Sequence, residues 1–140
     1  MADLTRAELI QLADEKLDDA RMLLRESRPG NAYYLAGYAV ELLLKAAIST
    51  RFQANTIPDP GWAKDIFTHS LEKLVKLALL DNELKAYGDT HDQFKGRWDI
   101  VLEWKEDSRY YIREQSDAEA LIAAIDDPIH GVFQWLRERL

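Results

Sequence analysis

The sequence predicts an all-α fold, an up-and-down helical bundle of four main helices plus a short fifth, on three observations. A nearly continuous apolar run, Ala32 to Ile48, is long enough for a central helix. Apolar stripes at helical spacing lie on both sides of it, two of them headed by capping boxes. No β-alternating run of useful length occurs. With no internal repeat and no low-complexity stretch, residues 1–140 read as one domain.

The first helix is expected from about Thr5 to Glu26. Thr5-Arg6-Ala7-Glu8 reads as a capping box, and Leu9, Leu12, Leu17, Ala20, Leu23 and Leu24 form its apolar stripe. Arg28-Pro29-Gly30-Asn31 breaks the chain. The second helix is expected from about Ala32 to Phe52. It is apolar nearly all round, which places it centrally in the bundle. Gly37 inside it costs about 1 kcal/mol against Ala, and a close helix–helix approach, a ligand or, equally, local tolerance would account for it. Gln53 to Asp65, with Pro58, Pro60 and Gly61, is expected as a loop. The third helix spans about Ser70 to Leu80, with Ser70 as its cap. The fourth starts after Gly88 or Asp89 and reaches about Glu106. Ser116-Asp117-Ala118-Glu119 reads as a second capping box, heading a fifth helix that Pro128 and Gly131 kink or split.

Bulk composition narrows the chemistry. The apolar share of 47% against 31% charged is a globular balance. There is no cysteine, which excludes disulfides, thiolate metal sites and thiol catalysis and suits a cytoplasmic location. The first twenty residues carry acids and no continuous apolar run, unlike a signal peptide. The longest apolar stretch is too short for a bilayer, so no membrane association is expected. Net charge is −7, so nucleotide or RNA contact would rest on a few local cations rather than a basic surface.

Glu41 and Lys45 stand i, i+4 inside the apolar run, the favourable order for a helical ion pair. They read either as a pair bordering solvent or a second subunit, or as the lining of a polar pocket. Trp104-Lys105-Glu106-Asp107-Ser108-Arg109-Tyr110-Tyr111 mixes cations with aromatics, a combination that binds phosphate and stacks on a base. It also reads as a packed loop whose Arg109 pairs with an acid such as Glu41. His69 opens the third helix, as a hydrogen-bonding or a site residue. His91 lies in an acidic turn and reads as solvated. Asp127-Pro128-Ile129-His130 is one imperfect acid–x–x–His match, where a di-iron bundle wants two Glu-x-x-His motifs and further Glu residues, so no metal or other cofactor is expected. Neither a glycine-rich phosphate loop nor a G-x-S-x-G motif is present.

The run from Ala32 to Ile48 resembles the second helix of HEPN domains, the nucleotide-binding domains of higher eukaryotes and prokaryotes. His69-Ser70-Leu71-Glu72-Lys73-Leu74 is similar to the family's motif at the start of the next helix, and Ser108-Arg109-Tyr110 to its Arg-Tyr segment after the fourth. The three fall in the family's order, across roughly Leu4 to Leu140. The resemblance implies a five-helix bundle, commonly a homodimer. It also implies kinship with ribonucleases and nucleotide binders of toxin–antitoxin and defence systems, often encoded beside a small nucleotidyltransferase. Catalytic relatives use an Arg followed, after four to six residues, by a His. None of His69, His91 or His130 has an Arg at that distance.

The resulting expectation is a non-catalytic module that binds a nucleotide, RNA by local contacts, or a nucleotidyltransferase partner. Its cleft would be lined by Glu41, Lys45, His69 and Arg109, with Trp104 and Tyr110 for stacking. Two alternatives accompany it. One is a divergent ribonuclease bringing Arg109 and His69 together in space. The other is a purely structural dimerisation domain in which the charges of the second helix pair with Arg109.

Overall fold

The first helix, α1 (Arg6–Arg25), begins where the capping box puts it. Thr5 Oγ1 accepts the Glu8 N–H at 3.1 Å, and Glu8 accepts the Thr5 N–H at 2.9 Å. The computed structural model describes residues 3–140. α1 buries Leu9, Ala13, Leu17 and Ala20. It ends in a six-to-one turn, the Arg28 N–H reaching the Leu23 carbonyl across Ser27 at φ 57°.

α2 (Pro29–Ser49) starts at Pro29 rather than at Ala32. Proline suits a first helical position, where no backbone donor is needed. The helix stops before Phe52: the Ser49 and Thr50 hydroxyls donate to the Ala46 and Ala47 carbonyls, closing its last turn. α1 and α2 form a tight antiparallel hairpin, since only Glu26 to Arg28 separate them. α2 also packs against the fourth, seventh and eighth helices, so the apolar run is the axis of the bundle.

The expected loop from Gln53 to Asp65 is not wholly irregular. α3 (Pro60–Asp65) is a short helix capped by Asp59, whose Oδ2 accepts the Trp62 N–H at 2.9 Å. α4 (Leu71–Leu77) is capped by Ser70 as expected, and is shorter than the sequence suggests. The Leu80 N–H closes onto the Val75 carbonyl with Leu79 at φ 59°, which ends the helix.

The expected fourth helix is the second of two here, shorter at its end than Glu106, and a helix the sequence does not predict precedes it. α5 (Asp81–Thr90) and α6 (Asp92–Leu102) meet at His91, whose φ of −136° and ψ of 81° break the helical path. The His91 ring is exposed on one side and lies flat on Tyr87, with centroids 3.8 Å apart. A 3₁₀ turn, Glu106–Tyr110, follows. α7 (Gln115–Asp126) begins earlier than the expected Ser116 box, the Glu114 N–H donating to Asp117 Oδ2. Pro128 and Gly131 split off α8 (Val132–Arg137) as expected. A Cβ at Gly131 would sit 2.3 Å from the Asp127 carbonyl oxygen, so this tight reversal needs glycine. The described residues thus form eight α-helices and one 3₁₀ turn in an all-α bundle. None of these helices is long and apolar enough to cross a membrane.

Gly37 serves a close approach. A Cβ there would lie 2.3 Å from three atoms of the Trp104 indole. The indole, 2% exposed, lies against α2 at this point, its centroid 6.2 Å from that of Tyr34. The glycine brings the chain after α6 down onto the middle of α2 and sets where the 3₁₀ turn begins.

Candidate functional site

Glu41 projects from the middle of α2 and is 1% exposed. A buried carboxylate is costly unless partnered, and this one has two partners. His69 Nδ1 lies 3.0 and 3.2 Å from its two oxygens, and Lys45 Nζ lies 3.3 Å from Oε2. A carboxylate only accepts, so Nδ1 carries the proton and Nε2 is the outward nitrogen. Ser70 capping α4 fixes the backbone just after His69, and α4 packs on α2, so the short helix delivers the imidazole to Glu41.

The outward face of His69 meets the 3₁₀ turn. Its Nε2 lies 3.7 Å from Glu106 Oε1, within ion-pair range and beyond hydrogen-bonding range. The same oxygen accepts Arg109 Nη1, and Arg109 Nη2 reaches the Tyr110 hydroxyl at 3.2 Å. The guanidinium stands 4.7 Å from the centre of the Tyr110 ring, which is 73% exposed. Lys45, Glu41, His69, Glu106, Arg109 and Tyr110 therefore form one chain of contacts from the core of α2 to the surface.

The electrostatics follow from these neighbours. The Glu106 carboxyl is held below its ordinary range, first by the Arg109 hydrogen bond and then by the charges of His69, Arg109 and Lys45. Arg109 is correspondingly raised, chiefly by Glu106. Burial pushes the Tyr38 phenol up, and the negative charge of Glu41 adds to it. Tyr38 therefore stays a hydroxyl at neutral pH.

Five of the six residues expected at the site come together. Trp104 does not present a surface there: its indole is enclosed against Gly37 and Tyr34, and the exposed aromatic beside Arg109 is Tyr110. Arg109 pairs with Glu106, not with Glu41 as the structural alternative expects. Local spacing decides this, because Glu106 is one 3₁₀ turn away whereas Glu41 is already partnered. Glu106 is the member that sequence reasoning leaves without a role, and its i, i+3 relation to Arg109 is the signal that points to it. A surface cavity of about 390 Å³, walled by Phe52, Trp62 and Leu79, has none of these residues in its lining.

Two cationic side chains and an imidazole stand among two carboxylates, Lys45 on Glu41, Arg109 on Glu106 and His69 between them, and an exposed ring stands beside the guanidinium. No family model, curated protein or solved structure matches the chain.

Proposed function

We propose that the chain is a HEPN-like binding module, homodimeric and cytoplasmic, which holds the phosphate of a nucleotide or an RNA at the His69–Arg109 cluster without cleaving it. The observation that supports this reading most is the convergence of His69 and Arg109 on one oxygen of Glu106, beside the exposed Tyr110 ring. Arginine forks recognise phosphate, and a neighbouring ring gives a base a face to stack on. The missing Arg-x4–6-His motif is the reason for a binding role rather than catalysis. Such a module fits a toxin–antitoxin or defence-type system, with a nucleotidyltransferase as protein partner.

Titration calorimetry with ATP, GTP and their monophosphates tests this. We expect millimolar or tighter binding that Arg109→Ala and Tyr110→Ala each weaken. No heat with any of them, at concentrations well above millimolar, ends the nucleotide reading. Light scattering on the purified chain tests the homodimer.

One observation favours a second reading, a divergent ribonuclease. Glu41 fixes the His69 tautomer with Nε2 directed outward, as an orienting carboxylate does for a general base. Cleavage of tRNA or mRNA that His69→Gln abolishes would support it. Intact RNA after incubation with the purified protein removes it.

A further inference from the structure

We propose that Glu106 occupies a phosphate subsite of this protein, so that its carboxylate is a built-in competitor that a phosphate must displace. The inference rests on the nucleotide-binding reading and specifies how that site is regulated.

Glu106 Oε1 receives Arg109 Nη1 and faces His69 Nε2 at 3.7 Å. A single carboxylate oxygen satisfies the guanidinium and leaves the imidazole short of a hydrogen bond. A phosphate group has three terminal oxygens, so one can accept from the guanidinium while another, carrying a proton, donates to Nε2. Lys45 adds a second positive charge, which already acts on Glu106. With Glu106 in place, the local charges nearly cancel: Lys45 and Arg109 against Glu41 and Glu106, with His69 between them. With Glu106 swung out, the cluster carries an uncompensated cation.

Glu106 is also the member that can leave. Glu41 is held inside α2 and His69 is tied to Glu41. Glu106 stands at the first position of a 3₁₀ turn with its side chain 31% exposed, and its carboxylate is held only by side chains. Rotation about its own side-chain torsions moves it into water and disturbs no helix. A site populated in its open form only in part binds more weakly by that fraction. An internal carboxylate thus sets the apparent affinity for phosphate, and removing its charge raises that affinity.

The experiment titrates AMP and inorganic phosphate into the full chain and into Glu106→Gln, Glu106→Ala and Glu106→Gln/Arg109→Gln, with thermal melting to establish that each is folded. We expect Glu106→Gln and Glu106→Ala to bind AMP about tenfold more tightly than the parent, within the usual range of coupling between sites. The double variant should lose the gain. Parent binding that both Glu106 variants leave unchanged or weaken overturns the subsite and leaves the nucleotide reading standing. Binding by the Glu106 variants that Arg109→Gln does not reduce also overturns it, because the anion would then lie elsewhere. No binding by the parent or by any variant removes both.

Discussion

The Glu41 carboxylate, in the middle of α2, accepts the Nδ1–H of His69 from 28 positions further along the chain. Lys45 is its second partner, 22% exposed, while Glu41 itself is 1% exposed. The cost of breaking this group therefore depends on which member is removed. Lys45→Met leaves a buried carboxylate with His69 alone. We predict a loss of about 2 kcal/mol, below the ~3–5 kcal/mol of a fully buried pair because Lys45 is partly solvated. Glu41→Leu/Lys45→Met removes both charges and leaves His69 able to turn to water. The double variant should be more stable than Lys45→Met in urea unfolding. A double variant no better than the single one would show that the buried charge is not what the pair protects.

Gly37 gives a second prediction. Alanine is the better helix former by about 1 kcal/mol, yet its Cβ would stand 2.3 Å from an enclosed indole. A rigid ring fixed in a packed core cannot yield, and overpacking typically costs about 1–3 kcal/mol. Gly37→Ala should therefore destabilise, and Trp104→Leu in that background should recover part of the loss. A stabilised Gly37→Ala would contradict the close approach.

Leu79 predicts the opposite sign. It takes φ 59° at the end of α4, a backbone conformation that a leucine pays for and a glycine does not. Its side chain is 58% exposed, so little burial is lost on removal. Leu79→Gly should raise stability by about 0.5–1 kcal/mol, measured as a higher melting temperature.

Acid stability should depend on Asp127. Backbone N–H groups of His130 and Ile129, with Arg97 after them, push its pKa down to about 2. The unfolded value lies near 3.9. A group depressed on folding contributes fully above its unfolded pKa and loses that contribution as pH falls through its folded one. The contribution of Asp127 is thus complete above about pH 4 and fades toward pH 2. Melting temperatures of Asp127→Asn should be lower than the parent's at neutral pH, with the gap closing below pH 4. A constant gap down to pH 2 would rule the carboxylate out as the cause.

The sequence made the long elements legible through local signals. The Thr5–Glu8 box starts α1, Ser70 starts α4, and Pro128 with Gly131 separates α7 from α8. α5 escaped because it is largely polar and buries only Leu84 and Gly88, too little to make a stripe. A single residue, His91, breaks it from α6, inside the stretch that reads as an acidic turn. α3 had a readable sign in Asp59-Pro60, a cap followed by proline at the first helical position. At the site, Glu41 and Lys45 were legible as an i, i+4 pair. The reach of His69 to Glu41 was not, since it depends on how α4 packs against α2. Trp104 misled because an aromatic beside cations suits a stacking surface and a core anchor equally well. Gly37 tells the two apart only when the spacing between the two segments is known.

The central place of α2 also dictates when the site can come apart. A helix covered by α1, α4, α7, α8 and the 3₁₀ turn has no edge from which to fray. Its backbone amides between Val40 and Leu44 should exchange with deuterium only when the whole molecule opens, at the slowest rate in the chain. Glu41 sits within that stretch, whereas Glu106 and Arg109 sit in a short turn with partly exposed side chains, which should exchange faster. The cluster thus joins a deeply held half to a surface half: the turn can rearrange while the anchoring carboxylate keeps its place for the lifetime of the fold.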